Sequence, residues 1–108
     1  MTIWFNGIPW TVVRVRASSP ALIDRTGKRA LATTDPRTRT ICVSESVEGG
    51  RLAHVMAHEA THACMVSYGM LDEVASFSRD RVAAEEWACN LMADHMAEVA
   101  AAVSSVLK

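Results

Sequence analysis

Two histidines and a glutamate near the middle of the chain have the spacing of a metal-dependent hydrolytic site. The segment His58-Glu59-Ala60-Thr61-His62 has the form H-E-x-x-H. On a helix, side chains at positions i and i+4 project from one face, so both imidazoles can reach a single metal ion. Glu59 lies beside them and can take a proton from a metal-activated water. We therefore predict a metal centre with His58 and His62 as ligands and Glu59 as the general base.

A hydrolytic zinc site also needs a third protein ligand and an open fourth position. Glu85 and Glu86 are the candidates, because they follow His62 on a second helical segment after enough chain for a return crossing. At 100° per residue, Glu85 falls within the apolar arc of that helix and Glu86 falls on its border. A carboxylate in an apolar stripe needs a cation or a hydrogen-bond partner, which favours Glu85. Glu86 is the alternative.

Helical periodicity surrounds the motif and recurs near the C-terminus. The spacing of apolar residues predicts a motif helix over 50–69, with Gly69 as the residue that ends it. A connecting stretch from Met70 to about Ser78 follows. A long helix over 79–107 then carries the candidate third ligand.

The segment 1–45 is predicted to form strands and turns. Asn6-Gly7 between two apolar runs is a strong β-hairpin signal, because both residues tolerate positive φ. Alternation in the second run predicts that Val13 and Val15 face inward. A further strand is expected from Thr38 to Val43.

These elements predict one α+β domain over residues 1–108. We expect a small antiparallel sheet of three or four strands in the N-terminal half. This sheet packs on the motif helix and on the long C-terminal helix. Its size fits a single economical core.

Composition excludes several classes of protein. The chain has 108 residues, of which 50% are hydrophobic, so intrinsic disorder is excluded. A net charge of −1 argues against a general nucleic-acid binder, and no apolar run is long enough to span a membrane. The three cysteines form no CxxC pair, so neither a disulfide framework nor a thiolate zinc knuckle is expected. We expect a cytoplasmic protein that binds neither nucleic acid nor membrane.

At these residues the sequence resembles the gluzincins. Its layout is similar to that of the small ImmA/IrrE-type metallopeptidases and their phage-encoded relatives, in which a short sheet precedes the H-E-x-x-H helix and a glutamate-containing helix follows. The resemblance implies that His58 and His62 bind zinc and that Glu59 is the general base. It implies Glu85, or failing that Glu86, as the third ligand. The spacing from Glu86 to Asn90 resembles that of some related zinc enzymes.

The function implied is that of a zinc metalloendopeptidase acting on a protein or peptide substrate. The peptide is expected to lie extended along an exposed edge of the sheet. Such enzymes stabilise the oxyanion with a His or Tyr, and Tyr68, the only tyrosine, would need the helix end to fold back. The alternative is a non-catalytic, zinc-stabilised protein-interaction module. Glu59 favours catalysis, because a purely structural site has no need of a carboxylate beside its histidines.

Overall fold

The computed structural model describes residues 1–77 and 80–108. Within these ranges the chain forms four strands, a short 3₁₀ turn at Pro20–Leu22 and three α-helices. The strands are β1 (Thr2–Phe5), β2 (Ile8–Val15), β3 (Ala32–Asp35) and β4 (Thr40–Ser44). The helices are α1 (Gly49–Ser67), α2 (Leu71–Ala75) and α3 (Arg81–Leu107). This confirms the α+β fold class, with the sheet in the N-terminal half and a long C-terminal helix.

The four strands form one mixed sheet in the order β1-β2-β4-β3. The predicted hairpin joins β1 to β2, and its turn residues Asn6 and Gly7 have φ of 52° and 70°. The expectation of a purely antiparallel sheet is wrong at one pair, because β2 and β4 run parallel. A parallel pair needs a long connection, and the segment between these strands supplies one. This connection contains β3, which pairs antiparallel with β4 at the edge of the sheet.

The main core lies between the sheet and α1. In β4, Ile41 and Val43 lie on one face of the strand and are fully buried. In β2 the prediction is wrong: Trp10 and Val12 are buried, whereas Val13 and Val15 are only half-buried. The reason is that α1 covers one face of the sheet, and Trp10 supplies the larger apolar surface to that face. The main core also includes Ile3, Phe5, Val47, Leu52, Met56, Ala60, Ala63 and Cys64.

The predicted end of the motif helix is confirmed. Gly69 has φ of 68° and its N–H donates to the carbonyl of Val66, while the N–H of Met70 donates to the carbonyl of Met65. These two bonds form a Schellman motif, which requires a residue with positive φ at this position. α2 lies in the segment predicted as a plain connection. The predicted start of the last helix, at residue 79, lies outside the described residues.

α3 begins at Arg81, and the Asp80 carboxylate caps it by accepting from the N–H of Ala83 at 3.0 Å. At 1.5 Å per residue, its 27 residues span about 40 Å. None of the helices in the described part of the chain combines the length and the hydropathy needed to cross a membrane.

One buried hydrogen bond joins the sheet to the end of α1, and it provides a test of the core. The indole Nε1–H of Trp10 donates to Ser67 Oγ at 2.7 Å. Replacing Ser67 with Ala leaves this buried donor without its partner, so we expect Ser67→Ala to lower the free energy of unfolding by about 1–3 kcal/mol. Urea unfolding measures the change. The exposed Ser105→Ala on α3 is the control, with an expected change within about 0.5 kcal/mol. Equal effects of both substitutions would contradict this role of the bond.

Candidate metal centre

The orientation of α1 decides where the motif side chains point. Its apolar stripe faces the sheet and buries Leu52 and Met56. Since successive residues advance 100° around the helix, His58 and His62 lie outside this stripe and Glu59 lies at its margin. His58 is exposed, His62 is half-buried and Glu59 is buried. The predicted motif therefore has one face in the core and two imidazoles at the surface.

The two imidazoles of the motif are close enough to share one ion. His58 Nε2 and His62 Nε2 are 3.2 Å apart, and the ring planes meet at 73°. Two nitrogens bound to one tetrahedral zinc at 2.0–2.1 Å would be separated by about 3.4 Å. The spacing of the two rings therefore fits a bound metal with little rearrangement.

Glu59 completes the group. One oxygen of its carboxylate and one nitrogen from each imidazole all lie within 4.8 Å of one another. The Thr34 hydroxyl, on the edge strand β3, lies 3.5 Å from Glu59 Oε2 and donates to it. The three residues could hold a metal ion, and β3 borders the site.

Burial sets the ionisation of Glu59. Loss of solvent raises the pKa of this carboxyl from 4.5 to about 7, against the smaller opposing effect of the hydrogen bond from Thr34. Near neutral pH, Glu59 can therefore both accept and release a proton, as a general base does when it later acts as an acid.

Burial also lowers the pKa of His62, and the nearby positive charge of His58 and Arg25 lowers it further. A neutral imidazole is the form that binds metal, so His62 is held in the required state. In the sequence, Arg25 is one of several basic residues in the N-terminal half, and no local pattern places it near the motif. The Asp24 carboxylate shapes the turn that carries it by accepting from the N–H groups of Thr26 and Lys28.

The predicted third ligands do not join this group. Glu85 and Glu86 are exposed on the first turns of α3. The burial argument that favoured Glu85 therefore finds no support here, because the first half of α3 is largely solvent-exposed. Glu85 precedes His95 by ten residues, or about 15 Å along the helix axis. Among the described residues, neither Glu85 nor Glu86 lies within 4.8 Å of the motif's ligand atoms as part of one metal-ligand group.

A second group of metal-ligand side chains lies on the opposite side of α1. Cys64, His95 and Glu98 each offer one ligand atom, and these atoms all lie within 4.8 Å of one another. Sequence analysis did not find this group, because its members come from two helices whose register no local pattern reveals. Tyr68 belongs to its surroundings: its hydroxyl donates to Glu98 at 2.9 Å. That bond ties Tyr68 to α3.

None of the protein-family models, curated proteins or solved structures compared with the chain matches it. The metallopeptidase hypothesis therefore depends on the motif and on the geometry described above.

The raised pKa of Glu59 has a measurable consequence for stability in metal-free protein. Because the folded state binds this proton more tightly than the unfolded chain, stability falls as the pH rises from about 4.5 to about 8. The full effect is roughly 3 kcal/mol for a pKa that moves from 4.5 to about 7. Unfolding by urea at several pH values, with a chelator present, measures it.

The matched variant is Glu59→Gln, which keeps the shape of the side chain and removes its titration. The difference in unfolding free energy between Glu59→Gln and the natural chain should therefore grow across this pH range. Comparing the two proteins cancels the titration of His62, which acts in the opposite direction because its pKa is lowered. A difference that stays constant with pH would show that Glu59 titrates normally.

Proposed function

We propose that this protein is a zinc-dependent metallopeptidase that hydrolyses peptide bonds of a protein substrate. The observation that carries the proposal is the pair of Nε2 atoms 3.2 Å apart, with a buried carboxylate of raised pKa beside them. Zinc bound by His58 and His62 would supply Lewis-acid chemistry, polarising the scissile carbonyl and lowering the pKa of water. The free thiols of Cys42 and Cys64 agree with the reducing cytoplasm that we propose as its compartment.

The chain's own contribution is proton transfer by Glu59. Its carboxylate accepts a proton as water attacks the carbonyl carbon, and it returns that proton to the departing amine nitrogen. In the metal-free chain, burial raises the pKa of this carboxyl to about 7. Burial disfavours the charged carboxylate, so it favours both uptake of the proton and its retention until the amine departs. The Thr34 hydroxyl holds the carboxylate in place from β3.

The third ligand in this proposal is Glu85, with Glu86 as the alternative. For either to reach His58 and His62, the first half of α3 must move towards α1. That half exposes large apolar side chains, since Val82 is 71% exposed and Met92 is 57% exposed. Burial of this surface would favour such a movement.

The substrate is proposed to bind as an additional strand at β3. This strand is at the edge of the sheet and pairs with β4 on one side only. Its residue Thr34 contacts Glu59, so a peptide added along the free edge would pass close to the metal-binding histidines.

One observation favours the alternative, a non-catalytic zinc-stabilised interaction module. A carboxylate oxygen of Glu59 already lies within 4.8 Å of a nitrogen of each imidazole. Glu59 could therefore act as the third ligand itself, which would leave no general base. The two functions make opposite predictions for the same substitution.

Zinc content and peptide cleavage of Glu59→Gln separate the two functions. If Glu59 is the general base, the variant keeps near-stoichiometric zinc and its cleavage rate falls by roughly 10²–10⁴-fold. If Glu59 is a ligand, zinc affinity should fall by at least about tenfold. Glu45→Gln, at an exposed position far along the sequence from the motif, is the control and should change neither quantity.

The same measurements on Glu85→Gln and Glu86→Gln identify the third ligand. Loss of zinc in one variant and retention in the other would name it. Retention of zinc and cleavage in both variants would refute a ligand from the first turns of α3. Failure of the natural chain to take up zinc would overturn the enzyme proposal altogether.

Strand addition predicts an alternating sensitivity of the substrate. In a peptide paired with β3, every second N–H points to the strand and donates to it. We expect N-methylation at those positions to slow cleavage by about fivefold to tenfold each, the cost of one hydrogen bond. Methylation at the intervening positions is the control. Equal cleavage of both series would exclude binding at the β3 edge.

A further inference from the structure

The second group of ligand side chains joins α1 to α3. Cys64 is fully buried on α1, and His95 and Glu98 are half-buried on α3. His95 and Glu98 are three residues apart, so they lie on one face of α3 and both project towards Cys64. This brings a thiol, an imidazole and a carboxylate to one point, where each type is a zinc ligand.

Two further observations describe the carboxylate. Glu98 Oε2 lies 3.4 Å from His95 Nδ1, which matches the separation of about 3.4 Å expected between two ligands of a tetrahedral zinc. Glu98 Oε1 accepts from the backbone N–H of Asn6 at 3.4 Å, and the Tyr68 hydroxyl donates to the carboxylate, 2.9 Å from Oε1 and 3.0 Å from Oε2. The Tyr68 hydroxyl thus lies against both carboxylate oxygens, and Oε2 also lies against the imidazole.

Space for a further ligand lies beside the group. Cys64 and His95 line an apolar groove of about 550 Å³ between α1 and α3. Its walls include Met92, Met96 and Val99. A low-dielectric wall strengthens the attraction between a thiolate and a divalent cation.

We propose that Cys64, His95 and Glu98 form a second site for a divalent metal of the zinc type. Cys64 Sγ, His95 Nδ1 and Glu98 Oε2 are its ligands, and the groove supplies the open position. Tyr68 and Asn6 orient Glu98 through hydrogen bonds to its carboxylate, as carboxylate ligands are usually held in metal sites. The metal would fasten α3 to α1. This site is independent of the motif histidines, because it uses none of their atoms.

Cobalt(II) titration of the reduced full-length chain tests the site. A thiolate ligand gives cobalt an intense near-ultraviolet charge-transfer band, which histidine and carboxylate ligands do not give. We expect this band with about one cobalt per chain at the site. The double variant Cys42→Ser/Cys89→Ser should keep the band, and Cys64→Ser should lose it. Far-ultraviolet circular dichroism checks that each variant is folded.

Further variants distinguish cobalt binding at this site from cobalt binding at the motif. They also distinguish loss of a ligand from loss of the band through misfolding. His58→Ala/His62→Ala should leave the band intact. His95→Gln, on a half-buried side chain, should weaken cobalt binding at least about tenfold even if Cys64→Ser does not fold. Tyr68→Phe should weaken it by about 10–100-fold, the usual effect of removing a group that orients a ligand.

Three results would overturn the proposal. The first is absence of the band in the natural chain at saturating cobalt. The second is a band that survives in Cys64→Ser or is unaffected by His95→Gln. The third is loss of the band in His58→Ala/His62→Ala, since this would assign Cys64 to the motif site.

Discussion

The rotation of α1 about its own axis is the constraint on which both candidate sites depend. One stripe of the helix, including Leu52, Met56 and Ala60, is buried against the sheet. Since burial of large apolar side chains is worth about 1.5–3 kcal/mol each, this stripe cannot turn to solvent. Once it is fixed, His58 must face outward and Cys64 must face α3. The positions of the motif histidines and of Cys64 thus both follow from the packing of α1 against the sheet.

Glu59 is at the boundary between the apolar stripe and the surface, and this position explains its electrostatics. A carboxylate further round the helix would be solvated and would titrate normally. A carboxylate deeper in the core would be held neutral. At the boundary, Glu59 is 7% exposed, and Thr34 of β3 provides one hydrogen bond. Burial in the folded chain raises the pKa of Glu59, and the hydrogen bond from Thr34 partly opposes this. A local pattern such as H-E-x-x-H contains no information about either effect.

Features determined by neighbours in sequence could be predicted, and features determined by packing could not. The turn at Asn6 and the end of α1 at Gly69 depend on local φ preferences. Both predictions are confirmed. The face of β2 that points into the core depends on which side of the sheet α1 covers. Alternation of residue types does not reveal that side, and it wrongly predicts that Val13, rather than Val12, faces inward. The contact of His95 with Cys64 depends on the register of two helices, which the sequence pattern of neither helix specifies.

The proposed roles of α3 compete with each other. This helix contains neither Gly nor Pro, so it has no site at which a sharp kink is expected. Movement of Glu85 towards the motif histidines would then pivot the whole helix and separate Glu98 from Tyr68 and Asn6. A metal held by His95 and Glu98 would resist that pivot and keep Glu85 away. The second site would thus hold the chain in the arrangement seen here, in which Glu59 is the one further metal-ligand residue beside the two histidines among residues 1–77 and 80–108.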